Sequence, residues 1–189
     1  MQRRTSPPMP GLGAQERSID AMIRVDHAGE FGAVQIYRGQ RAVFDAISGK
    51  QHAARVIAEM EDGEQEHLDT FDRMIAERGV RPTVMAPLWR VAGFGLGAVT
   101  ALMGEKAAHA CTEAVEDVIE EHYARQAQAL ENSGADPQLK DIVERFREDE
   151  MGHRDTAIDQ GARDAPGYPL LTTVIKFGCR AAIRISEKI

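Results

Sequence analysis

Apolar positions along this chain recur at intervals of three and four residues, the period of one helix face, and no stretch alternates as a half-buried strand would. Residues 11–81, 88–136 and 138–165 are free of proline and rich in Ala, Glu, Gln, Arg and Met, which are strong helix formers. Turn signals divide these runs: Ser48-Gly49-Lys50, Gly79 followed by Pro82, Asn132-Ser133-Gly134, and Asp136-Pro137, a capping residue followed by proline at the first helical position. The pattern predicts helices over about 19–47, 50–78, 84–103, 105–132, 137–161 and 169–188. The fold class is all-α.

Length and composition then bound the answer. At 189 residues and 20.8 kDa, with 43% hydrophobic and 28% charged residues, the chain is sized for one domain with a real core. Residues 1–18, with Pro7, Pro8 and Pro10, read as a disordered lead without the apolar segment of a secretory signal. Residues 19–189 read as the single folded domain. The net charge of −7 excludes a nucleic-acid binder as the default. It is unevenly spread: residues 1–18 carry +2 and 163–189 carry +3, leaving −12 on the body between them. Cys111 and Cys179 form no CxxC pair and read as reduced, buried thiols.

The chemistry sits in a repeat. Glu64-x-x-His67 and Glu150-x-x-His153 each place a carboxylate and an imidazole on one helix face. That face is otherwise apolar, with Ile57, Met60 and Phe71 around the first motif and Val143, Phe146 and Ala157 around the second. Such groups are costly there unless something pairs with them. One copy is ordinary in a chain of this composition, but the two stand 86 residues apart, and the same offset matches Glu30 to Glu116 and Tyr37 to Tyr123. In an antiparallel hairpin, residues equidistant from the turn share a height. Glu30 and Glu64 have their midpoint at 47, beside the turn at Ser48-Gly49, and Glu116 and Glu150 theirs at 133, in the turn at Ser133-Gly134. Two such hairpins packed as a four-helix bundle bring Glu30, Glu64, His67, Glu116, Glu150 and His153 together in mid-core. This is the ligand pattern of ferritin-like di-iron carboxylate proteins, and its oxygen-rich donors suit iron or manganese over zinc. Tyr37 and Tyr123 could donate hydrogen bonds to the site or serve as core aromatics. Asp26 either orients a ligand imidazole or faces solvent. Gly93-x-Gly95-x-x-Ala98 follows no strand and is rejected as a dinucleotide loop.

Each hairpin is followed by an extra segment, so that repeat one covers about 19–103 and repeat two about 105–189. Val91 to Met103 is uncharged but gives only about 20 Å of helix, short of the roughly 30 Å of a hydrocarbon core. The segment 84–103 is therefore expected to lie in a membrane interface or line an apolar tunnel, with Trp89 near the headgroups. In 169–188, Lys176, Arg180, Arg184 and Lys188 recur every four residues beside apolar positions, the pattern of a cationic amphipathic helix on anionic lipid.

The stretches IRVDHAGEFGA (23–33), EQEHLDTF (64–71), RPTVMAPLW (81–89), ACTEAVEDVIEEHY (110–123) and FREDEMGH (146–153) resemble the demethoxyubiquinone hydroxylases of ubiquinone biosynthesis. The resemblance implies a ferritin-like di-iron monooxygenase that hydroxylates the ring of demethoxyubiquinol. It implies two iron ions held by the same six residues, dioxygen as co-substrate, and a lipid quinol as substrate. It further implies peripheral attachment to the cytoplasmic face of a bacterial inner membrane, or the matrix face of the mitochondrial one, and partner proteins of the same biosynthesis. A non-catalytic iron store or sensor, or another ferritin-like oxidase, remains the alternative at this point.

Overall fold

The computed structural model describes residues 12–188, and side chains from Ser18 onward. Six helices follow one another: α1 (Leu12–Phe44), α2 (Gln51–Arg78), α3 (Ala86–Leu102), α4 (Glu105–Ser133), α5 (Pro137–Asp159) and α6 (Tyr168–Ser186), with a single 3-10 turn at Ala162–Asp164. Among the described residues there is no strand, and the molecule is an all-α, ferritin-like bundle. Helix α1 begins seven residues before the expected start at 19, so the end of the expected lead is helical. The rest of that lead, residues 1–11, lies outside the described residues.

The predicted boundaries have local causes. Gly79 and Gly134 end α2 and α4 in the left-handed conformation, at φ of 67° and 60°. At α5 the Asp136 carboxylate accepts the Leu139 N–H at 2.9 Å, with Pro137 in the first turn. Helices α1 and α2 form one antiparallel hairpin and α4 and α5 the other. The third helix of each half returns onto the first: α3 packs on α1, and α6 on α4. At the α1–α3 crossing the backbones nearly touch. A Cβ on Gly97 would lie 1.9 Å from the Ile36 carbonyl oxygen, and one on Gly39 would lie 2.2 Å from that of Phe94. Gly93 and Gly95 lie within this packed helix, in keeping with the rejection of a nucleotide loop there.

Two apolar layers close the bundle. Ile23, Phe71, Leu130, Leu139, Val143 and Phe146 fill one end. Ala33, Phe44, Ala54, Ile57, Met60 and Ala108 fill the other. The polar residues of the repeat lie between them. Cys111 is buried and Cys179 half-buried; both are free and pack in one cluster with Ile36 and Ile175. Burial pushes both thiols up, Cys179 to about 12.

The basic stripe of α6 is only partly where the sequence pattern put it. Lys176 pairs with Asp117 at 2.6 Å and Arg180 with Glu121 at 3.0 Å, so half of the stripe turns inward onto α4. Two acids four residues apart on α4 meet two cations four residues apart on α6, which docks that flank on protein. Arg184 and Lys188 remain exposed, and beside them the outward side is apolar. Leu170 (73% exposed), Val174 and Phe177 (74%) line one side of α6, and Leu88, Val91 (71%) and Leu102 (70%) one side of α3. Among the described residues no helix is long and apolar enough to cross a membrane. Trp89 is half-buried and donates its indole N–H to the Ser186 hydroxyl at 3.1 Å, tying α3 to the end of α6.

Candidate metal centre

Four helices supply the cluster: Glu30 from α1, Glu64 and His67 from α2, Glu116 from α4, Glu150 and His153 from α5. All four carboxylates are buried. The side chains form two interlocking groups, Glu30–Glu64–His67–Glu150 and Glu64–Glu116–Glu150–His153, each with one donor atom per residue within 4.8 Å of the others. Glu64 and Glu150 belong to both. Glu30 and His67 belong to one only, as do Glu116 and His153 to the other. All six residues singled out by the repeat are thus brought together.

Both imidazoles turn Nδ1 inward. His67 Nδ1 lies 3.3 Å from Glu150 and 3.6 Å from Glu30, and His153 Nδ1 lies 2.9 Å from Glu64 and 3.3 Å from Glu150. Yet Glu30 Oε2, both Glu64 oxygens, His67 Nδ1, Glu116 Oε2 and Glu150 Oε1 are buried without a hydrogen-bond partner. Buried acceptors converging on one point and left unsatisfied are costly as protein and natural as ligands. In the absence of cations, protons do the balancing. Burial, reinforced by neighbouring carboxylates, pushes Glu30 and Glu116 well above the usual range. Burial also pushes Glu64 up, but the neighbouring His153 and His67 imidazoles outweigh it and hold this carboxyl well below its ordinary value. The imidazoles move opposite to what burial dictates: the surrounding carboxylates raise His67 far above its ordinary value and His153 to about 11. Oxygen donors with one imidazole per group fit a pair of hard divalent cations replacing those protons.

The tyrosines cross between repeats. Tyr37 donates to Glu116 Oε1 at 2.5 Å, and Tyr123 donates to Glu30 Oε1. Both are buried core aromatics and site donors at once. Asp26 does neither thing the sequence suggested. It is buried, but it accepts from Gln126 at 2.7 Å and meets His122 Nε2 at 3.2 Å, touching neither His67 nor His153. Outside the cluster, a carboxylate that does meet one of its imidazoles is Asp149, 3.2 Å from His67 Nε2. It lies immediately before Glu150 in sequence, but its contact crosses from α5 to α2, which chain spacing does not reveal.

Two openings flank the cluster. Between α1, α3, α4 and α6 lies an apolar cavity of about 410 Å³, lined by residues such as Trp89, Leu96, Val115, Ile119 and Ile175. Glu30, Tyr123, Asp26 and His122 also line it, so it reaches the cluster. The expectation that 84–103 lines an apolar tunnel is met by Trp89, Gly93 and Leu96, while the opposite face of the helix is exposed. On the other flank, between α2 and α5, a polar groove of about 680 Å³ includes Glu66, Arg145, Asp149, His67 and His153.

Known proteins share this sequence over nearly its whole length. The 3-demethoxyubiquinol 3-hydroxylase of Rhodospirillum rubrum is 46% identical over 181 residues, 96% of this chain and 83% of that protein. The human NADPH-dependent 3-demethoxyubiquinone 3-hydroxylase, mitochondrial, is 44% identical over 174 residues, covering 91% and 78% of the two chains. The 5-demethoxyubiquinone hydroxylase, mitochondrial, of Saccharomyces cerevisiae is 40% identical over 189 residues, covering 93% and 80%. The family model described as ubiquinone biosynthesis protein COQ7 matches residues 17–186, a span that takes in every residue of the cluster. By that match and these identities, the chain belongs to the COQ7 family of ubiquinone biosynthesis proteins.

Proposed function

We propose that this protein is a di-iron monooxygenase that hydroxylates the ring of demethoxyubiquinol with dioxygen. The observation that carries the reading is the junction of a four-carboxylate, two-imidazole cluster with an apolar cavity, in a chain 46% identical to a 3-demethoxyubiquinol 3-hydroxylase. Glu30 with His67 would hold one iron and Glu116 with His153 the other, Glu64 and Glu150 being shared by both. When bound, the irons supply the activation of dioxygen, one atom of which enters the ring while the other leaves as water at the expense of two electrons. Relatives named as NADPH-dependent suggest a nicotinamide as the source of those electrons.

The chain's own residues shape what reaches the centre. The apolar wall of the cavity accepts an isoprenoid tail and excludes water. Polar side chains in its lining are few; among them is His122, whose Nε2 is engaged by Asp26 and whose other ring nitrogen would serve a ring hydroxyl. Tyr37 and Tyr123 hold Glu116 and Glu30 in place as the cluster exchanges protons for cations. The exposed apolar sides of α3 and α6 set the molecule on the surface of the membrane that stores the quinol, the cytoplasmic face of a bacterial inner membrane or the matrix face of a mitochondrial one. The paired helical arrangement supports reading 19–189 as one domain made of repeats 19–103 and 105–189.

Cells lacking this protein should accumulate the demethoxy quinone, read by mass spectrometry of extracted lipids, and the wild-type gene should clear it. Glu64→Ala should fail to clear it. An unchanged quinone pool in the knockout, the outcome a storage role predicts, would overturn the assignment, as would full complementation by Glu64→Ala.

A further inference from the structure

The offset of 86 residues that superposes the two Glu-x-x-His motifs also pairs Asp149 with Gly63. The pairing is visible in space. Asp149 Oδ2 stands 3.2 Å from His67 Nε2, on the side of the ring that faces away from the carboxylates. Gly63 stands in the same relation to His153: a Cβ at that position would lie 3.1 Å from His153 Nε2. One imidazole is therefore braced by a carboxylate, and its counterpart faces a glycine that offers no side chain.

The packing around the rings differs in the same direction. The His67 ring stacks on Phe146 at a centroid separation of 3.9 Å, and the residue 86 positions before Phe146 is Met60. The His67 side chain is 4% exposed and that of His153 16%. Other features are balanced across the repeat. Each half contributes one unshared glutamate, and each of these accepts a tyrosine hydroxyl from the opposite half. Among these contacts, the asymmetry lies at the imidazoles.

From this we infer that the two metal positions are inequivalent: the Glu30–His67 position is the tighter, and the Glu116–His153 position is the weaker and more readily exchanged, through the groove between α2 and α5. The inference rests on the reading of the cluster as a two-cation site. A ligand histidine whose second N–H is held by a carboxylate is fixed in orientation and made more basic, and loss of such a partner typically costs 10–100-fold in metal affinity. Asp149 is thus a positioning residue for one half of the centre, and Gly63 marks where the other half lacks one. The α2–α5 groove, lined by both rings, gives the less braced imidazole its route to solvent.

Titration of the metal-free full chain with Mn²⁺ under anaerobic conditions, with free ion followed by electron paramagnetic resonance, tests this without reference to turnover. Two steps of one ion each are expected, at least about tenfold apart in affinity. Asp149→Ala, at a half-exposed side chain, should weaken the tight step by roughly 10–100-fold and leave the weak step in place, so that the two merge. Two ions bound with a single affinity by the wild-type chain would overturn the inference, as would an Asp149→Ala variant in which both steps weaken alike or neither does. A chain that takes up no divalent ion would instead overturn the metal reading itself.

Discussion

His109 on α4 is buried, and its Nδ1 has no hydrogen-bond partner. Burial depresses its pKa to about 4, a nearby His52 adding to the effect and Glu105 opposing it. With the folded value below the unfolded value of 6.5, the unfolded chain takes up this proton first as pH falls. Its contribution to stability is therefore intact above about pH 6.5 and is lost progressively down to about pH 4. Between pH 7 and 4.5 the loss should come to about 2–3 kcal/mol. His109→Gln should remove that part of the pH dependence in urea unfolding followed at both pH values; parallel loss in variant and wild type would contradict it. Residues of this kind divide by how far they were legible in the sequence. The six cluster residues were legible because Glu-x-x-His fixes a helix face and the 86-residue offset fixes two partners. Asp26 and Asp149 were not. Each acts across a helix pair, and their roles depend on which side of the bundle each helix turns, which no spacing within one helix encodes.

At the scale of helices, the close crossing of α1 and α3 sets the wall of the cavity. Gly97 permits it, since any side chain there would meet the Ile36 carbonyl, a backbone atom that cannot swing aside. Gly97→Ala should push α3 outward and cost at least about 1–3 kcal/mol, as overpacking typically does. Denaturant unfolding reads the loss, and an unchanged midpoint would show that the crossing tolerates separation. The helices themselves were legible, because proline, glycine and capping residues punctuate the chain at Gly79, Gly134 and Asp136-Pro137. The docking of α6 was not. Its cations are spaced every four residues, a pattern compatible with lipid phosphates or with an acidic helix flank. Asp117 and Glu121 on α4 decide for the second at Lys176 and Arg180. Only the partner's surface distinguishes the two outcomes.

That docking changes what the whole molecule presents to a membrane. An acidic body with basic ends suggested attraction to anionic lipid by charge, yet two of the four cations of the C-terminal stripe are already paired within the protein. Beside the remaining exposed cations, Arg184 and Lys188, lies the apolar side of α3 and α6, where Val91, Leu102, Leu170 and Phe177 are each 70–74% exposed. A large apolar side chain moved fully out of water contributes about 1.5–3 kcal/mol, so a few of them outweigh screened surface charges. Binding to phospholipid vesicles should therefore persist at about 1 M salt, where the Debye length falls to roughly 3 Å. It should weaken only modestly when anionic lipid is replaced by zwitterionic lipid. Leu102→Glu with Phe177→Glu should lower the partition coefficient by more than about tenfold, because burial of two large side chains is lost and two charges are added. Both sites are exposed, so the fold and metal content should survive, and circular dichroism with metal analysis checks that. Lys176→Glu with Arg180→Glu should act otherwise, loosening α6 from α4 and lowering thermal stability. Vesicle co-sedimentation that collapses in high salt, or that is insensitive to the α3 and α6 substitutions, would return the attachment to charge.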